Sequence, residues 1–203
     1  MVVLNKIYTR TGDDGTTALG TGYRISKCNL RITTFGTVDE ANAAIGLAIT
    51  QLDLNIDDHC DIRDRLKRIQ NDLFDLGADL CVPEGDSKPD YTPLRVTSSQ
   101  VERLEHKIDT LNKHLKPLRS FILPGGCPAA ASLHIARTIT RRAERAMVEL
   151  ADQNGEIVNK DALHYINRLS DFLFIAGRYV NNRGKDDILW TPGMNQKIDK
   201  SQD

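Results

Sequence analysis

The segment RTITRRAERAMVEL, Arg137 to Leu150, concentrates cations where an anion could be held. At about 100° per residue, Arg137, Arg141, Glu144 and Arg145 share one helical face, and Ile139, Ala143, Ala146, Met147 and Leu150 the opposite one. Guanidinium groups stay charged at any working pH and grip phosphate oxygens through paired N–H donors. Farther along, Asn167, Asp171, Phe174 and Arg178 step by four, three and four, a second polar stripe interrupted by an aromatic. A triphosphate would suit two such stripes in one bundle. A solvated face laced with ion pairs is the alternative. Nucleic acid is a poor fit, because Glu144 and Glu149 lie within the cluster and 27 Lys plus Arg are matched by 28 Asp plus Glu.

A second candidate lies near the start, in TRTGDDGTTALGTG (Thr9 to Gly22), where nine of fourteen residues are Gly or Thr. It lacks the G-x-x-x-x-G-K-[ST] of a P-loop. Gly12, Gly15, Gly20 and Gly22 could still let backbone N–H groups converge on an anion, with threonine hydroxyls as further donors. Asp13 and Asp14 would then hold the loop as Asx turns, or face a metal ion carried by the nucleotide. Composition alone leaves a flexible arm as the equal alternative, since glycine-rich chain is costly to order. A di-iron bundle would need two Glu-x-x-His motifs, and only Asp161-Ala-Leu-His164 comes near. No protein metal site is expected.

The elements that position these residues follow from apolar periodicity. Thr37 and Glu40 have capping-box spacing, predicting a helix that begins there and buries Val38, Ala41, Ile45, Ala48 and Leu52. Its other side carries Asp39, Asn42, Ala43 and Gly46, small enough for close helix approach. From Asp58 to Leu80, leucines and isoleucines alternate steps of four and three. Residues 82–96 read as a loop. A second capping box, Ser99 to Glu102, predicts a helix burying Val101, Leu104, Ile108, Leu111 and Leu115. Further helices are expected from about Pro128 to Ala151 and from about Lys160 to Asn181, the last burying Leu163, Ile166, Leu169, Leu173 and Ala176. Five helices without convincing strand alternation predict an all-α bundle. The tail KIDKSQD reads as disordered.

The totals fit one domain: 203 residues, 40% hydrophobic and 27% charged. Cys28, Cys60, Cys81 and Cys127 are scattered, which fits a reducing compartment better than a zinc site or disulfide framework. No run approaches the length of a membrane span. MVVLNKIY is too short for a signal or transit peptide, so a cytoplasmic protein is expected.

Three separated motifs, TRTGDDGTTALGTG, FGTVDEANAAIG, and FILPGG followed by ARTITRRAER and NRLSDFLF, together resemble the PduO-type ATP:cob(I)alamin adenosyltransferases. The resemblance runs from about Lys6 to Trp190. It implies a single adenosyltransferase domain over 1–203: a nucleotide-binding segment (1–35), a helical bundle (36–181) and a C-terminal tail (182–203). It also implies a homotrimer with active sites between adjacent subunits. The reaction it implies moves the 5′-deoxyadenosyl group of ATP to the cobalt of cob(I)alamin, with Mg²⁺ accompanying ATP. A cobalamin reductase and an adenosylcobalamin-dependent enzyme are the protein partners such an activity implies.

Carried over by position, Thr9, Arg10, Thr11 and Gly12 resemble the family's nucleotide loop, with Thr17 and Ala18 beside it and Lys27 on the phosphates. Arg141, Arg142, Ala143, Glu144 and Arg145 match the second nucleotide-binding stretch, in which Arg141 meets charge developing on the triphosphate. Asn167 matches another ATP contact, and Asp39 and Arg137 match a pair bridging two subunits. Phe121 matches an aromatic on the lower axial face of the corrin that keeps cobalt four-coordinate. By residue type alone, Phe121 could equally fill the core. Phe174 is a candidate for lining the corrin pocket, and Trp190 for a C-terminal flap.

Overall fold

The computed structural model describes residues 7–84 and 91–196. The tail KIDKSQD and residues 85–90 of the expected loop lie outside the described residues. Five helices dominate: α1 (Leu30–Thr50), α2 (Asp57–Cys81), α3 (Ser98–Asn112), α4 (Pro128–Ala151) and α5 (Lys160–Val180). Helix α1 packs against α4 and α2, and α5 packs against α4 and α3. The core joins Ile45, Ile62, Leu66, Leu73, Leu133, Met147, Tyr165, Ile166 and Phe172, all essentially inaccessible to water. None of the described helices is long and apolar enough to cross a membrane.

Two helix starts differ from the sequence expectation. Helix α1 begins at Leu30, not at Thr37; Asn29 caps it by accepting from Arg31 N at 2.8 Å. The earlier start is favoured by Arg31, which is buried, donates to Leu80 O at 2.7 Å and pairs with Glu156. Thr37 lies inside the helix and returns its hydroxyl to Thr33 O at 2.8 Å. Helix α3 uses Thr97 and Gln100 as its capping box, two residues ahead of Ser99 and Glu102. Thr97 N donates to Gln100 Oε1 at 3.0 Å, while Gln100 Nε2 reaches Asp72 Oδ1 at 3.0 Å on α2. A tertiary contact thus selects between two caps of similar intrinsic quality.

The face of α4 also shifts slightly. Thr140 is fully buried and Ile139 only half-buried. Thr140 satisfies its hydroxyl on Ala136 O at 2.8 Å, which lets a polar residue occupy the core. In α5, Leu163 is half-buried, whereas Ile166, Leu169, Leu173 and Ala176 are buried as expected.

The described residues also include one small sheet that the apolar pattern did not reveal. Strands β1 (Thr16–Ala18) and β2 (Arg24–Ser26) pair antiparallel, with Thr17 opposite Ile25. Three-residue strands are too short to show alternation. Polar bonds and one buried leucine hold them instead.

Candidate active site

The glycine–threonine segment supplies β1 and the turn of that hairpin. Leu19 is buried at its tip, and Gly20 N donates to Cys81 O at 2.9 Å, docking the tip on the end of α2. A Cβ at Gly20 would stand 2.6 Å from Val82 Cγ2, so only glycine allows this approach. Asp14 accepts from Thr16 N at 2.9 Å and Thr16 Oγ1 at 2.8 Å, an Asx turn. Those two bonds hold its carboxyl below the ordinary carboxylate range, with Arg24 assisting. Lys27 Nζ donates to Gly12 O at 2.8 Å, placing an ammonium beside the loop formed by Thr9, Arg10, Thr11 and Gly12. Arg10 adopts a left-handed φ of 62°, an unusual conformation for a side chain of that size. Thr17 is half-buried and Ala18 exposed on β1. The segment is thus a folded element rather than a loose arm.

On α4, Arg141, Arg142 and Arg145 are exposed, and Arg137 is half-buried. Arg137 Nε is shut off from water and has no hydrogen-bond partner among the described residues. Burial, and then the charge of Arg141, push its guanidinium below the ordinary arginine range. Arg142 pairs with Glu40 on α1. Glu144 accepts from Asn167 Nδ2, fixing the side chain of Asn167 across the α4–α5 contact. Ala143 belongs to the same stretch but is fully buried, so its side chain packs the bundle.

Asp39 is exposed, on the rim of a cleft of about 470 Å³ between α1 and α2. It forms no ion pair with Arg137 inside one chain, and no hydrogen bond or ion pair among the described residues links the hairpin to Arg137, Arg141 or Arg145. One chain therefore presents two cationic, donor-rich surfaces without bonding them together. Among the described residues no cluster of His, Cys, Asp or Glu is placed to hold a metal ion.

Phe121 does not fill the core: it is 78% exposed. Its loop pairs with the C-terminal strap around an antiparallel bridge between Ile122 and Leu189. Trp190 N donates to Phe121 O at 2.7 Å, Leu123 N to Ile188 O at 2.8 Å, and Ser120 Oγ to Trp190 O at 2.7 Å. The two aromatic rings lie 6.2 Å apart. Phe174 sits elsewhere, half-buried on α5 beside the His134 ring at 6.2 Å and facing a groove with Glu105 and Ile108 of α3.

Sequence reasoning passed over His134. It lies one turn before Arg137, is 4% exposed, and its Nδ1 has no partner among the described residues. Burial, followed by the Arg137 charge, lowers its pKa from the ordinary imidazole value. The signal was a histidine at i−3 to an arginine on an apolar helix face, which resembles ordinary core packing.

The sequence pattern of the family described as cobalamin adenosyltransferase matches residues 7–180. A corrinoid adenosyltransferase of Mycobacterium leprae is 47% identical over 192 residues, covering 94% of this chain and 97% of its own. The corrinoid adenosyltransferase of Bacillus subtilis is 44% identical, covering 88% of each chain. Among solved structures, a variant PduO-type ATP:corrinoid adenosyltransferase from Lactobacillus reuteri complexed with cobalamin and ATP superposes with a TM-score of 0.83. Its identity is 37%, over 92% of this chain and 97% of that one. With that agreement of sequence and fold over nearly its whole length, the chain belongs to the cobalamin adenosyltransferase family.

Proposed function

We propose that this protein transfers the 5′-deoxyadenosyl group of ATP to the cobalt of cob(I)alamin, giving adenosylcobalamin and triphosphate. The Co(I) electron pair attacks C5′, the C5′–O bond breaks, and its electrons leave on the intact triphosphate; cobalt ends formally as Co(III). The nucleophile belongs to the cofactor, so the protein contributes position and charge stabilisation. The observation that carries this reading, given the family, is the α4 ridge, where Arg137 Nε is buried without an acceptor among the described residues and Arg141 stands exposed one turn away.

In this reading Thr9 to Gly12, Thr17, Ala18 and Lys27 hold the nucleotide, and Mg²⁺ arrives with ATP. Arg141, Arg142, Glu144, Arg145 and Asn167 complete the site from a neighbouring subunit, with Asp39 and Arg137 paired across the contact. A homotrimer with three such sites accounts for surfaces that one chain leaves apart. Phe121 lies against the lower axial face of the corrin and Phe174 lines its pocket. Cytoplasmic location fits four cysteines without a disulfide partner among the described residues. A reductase supplies Co(I), and an adenosylcobalamin-dependent enzyme takes the product.

The test is direct. Protein incubated with ATP, Mg²⁺ and strictly reduced cobalamin yields adenosylcobalamin and triphosphate in equal amounts. Absence of either product overturns the assignment.

A further inference from the structure

The last turn of α5 buries a charge. Arg178 is 4% exposed, a position that a guanidinium occupies only when an acceptor compensates for lost water. Its Nε donates to Asp187 Oδ2 at 2.8 Å, and its Nη2 donates to Lys116 O at 3.0 Å. The other oxygen of Asp187 accepts from Asn181 Nδ2 at 3.0 Å, and Asn181 Oδ1 accepts from Cys127 N at 3.1 Å. One ion pair therefore gathers the chain beyond α3, the entry to α4, the end of α5 and the C-terminal strap.

The strap needs such a fastening. Between α5 and Asp187 the chain runs through Asn182, Arg183 and Gly184 at φ of 53°, 52° and 74°. Two successive non-glycine residues in the left-handed region persist only where surrounding contacts dictate the conformation. Immediately after Asp187, Ile188 O and Trp190 N make the bonds that hold the Phe121 loop. At 78% exposure Phe121 gains little from packing. Its placement depends on those strap bonds.

We propose that the Arg178–Asp187 pair is a latch that positions the Phe121–Trp190 aromatic pair, which makes Arg178 and Asp187 positioning residues for adenosyl transfer. Neither touches substrate. The inference rests on the reading of Phe121 as the residue facing the corrin.

Trp190 is the only tryptophan in the sequence, so its fluorescence reports the strap directly. In full-length Asp187→Asn, acrylamide quenching of Trp190 rises, and amide exchange at Leu123 and Trp190 accelerates about tenfold or more while the middle of α5 stays protected. The KM for cobalamin rises about tenfold, the KM for ATP stays within about twofold, and the four-coordinate signature of cob(II)alamin with ATP fades. Arg178→Lys keeps the charge but loses the fork serving Asp187 and Lys116 together, and gives the same changes at smaller size. It carries the test if Asp187→Asn does not fold. Unmoved Trp190 quenching in the folded variant removes the latch. A loosened Trp190 with unchanged cobalamin KM and signature removes the positioning role. A wild-type protein that never shows four-coordinate cobalt removes the reading of Phe121, and the positioning role with it, while the quenching result still decides the latch.

Discussion

At Arg137 and His134 two buried nitrogens on adjacent turns of α4 lack partners among the described residues, and burial lowers the pKa of both side chains. His134 gives a pH dependence whose sign is fixed. Its folded pKa lies below the unfolded value, so the unfolded chain takes up the proton first on acidification. Stability from His134 is therefore complete above the unfolded imidazole pKa and is lost as pH falls below it. Urea midpoints of the wild type should drop between about pH 7 and 5.5 more steeply than those of His134→Gln, which cannot take up that proton. Parallel curves would mean the imidazole is not the group responsible. Arg141 makes a kinetic prediction instead. It is exposed and makes no ion pair among the described residues, so Arg141→Ala should leave the melting temperature nearly unchanged. Turnover should fall about 10²–10³-fold, with cobalamin affinity retained, as expected for a charge that acts on the leaving triphosphate. Steady-state kinetics at saturating ATP check this.

The hairpin is the element whose behaviour the side chains make separable from the bundle. It docks through Leu19 and the Gly20–Cys81 bond, while its own polar bonds, Asp14 to Thr16 and Lys27 to Gly12, fix its shape. Leu19→Ala removes a buried side chain worth roughly 2–3 kcal/mol of docking at such a site. The hairpin meets the described bundle chiefly through these two points, Leu19 and the Gly20–Cys81 bond, so the bundle should melt almost normally. The hairpin itself should open, with faster amide exchange at Gly20 and a raised KM for ATP. Equal loss of bundle and hairpin stability would show that the two fold as one unit. At the entry to α4, Gly126 has φ +99° and a Cβ there would lie 2.5 Å from Asn181 Oδ1. Gly126→Ala should cost about 1–3 kcal/mol in denaturant unfolding.

On the scale of the whole molecule, the hairpin and the α4 arginines form two surfaces that no described bond joins within the chain. If a neighbouring copy supplies the second surface, two inactive variants should repair one another. Lys27→Ala spoils the hairpin side and Arg141→Ala the α4 side. In the proposed homotrimer, assembly from an equal mixture would give contacts in which both surfaces are wild type, one in four by random association. Mixing should restore about a quarter of wild-type activity, whereas each variant alone stays inactive. A mixture no better than the sum of its parts would place both surfaces in one subunit.

Much of this molecule was legible in the sequence. The number and order of the helices, and most of their buried faces, are set by apolar residues repeating every three or four positions, which is local information. The Gly/Thr segment, the arginine cluster and FILPGG were equally visible as motifs. Distant partners were not. Thr37 and Ser99 looked like helix caps, yet Arg31 meeting Leu80 and Glu156, and Gln100 meeting Asp72, moved both starts earlier. Whether Phe121 filled the core was open until Trp190, 69 positions away, was seen to hold its backbone at the surface. A cap or an exposed aromatic gains only about 1 kcal/mol locally, so contacts between remote segments decide it. Periodicity determined the bundle; the tertiary structure decided which polar ends it closes and which it leaves open.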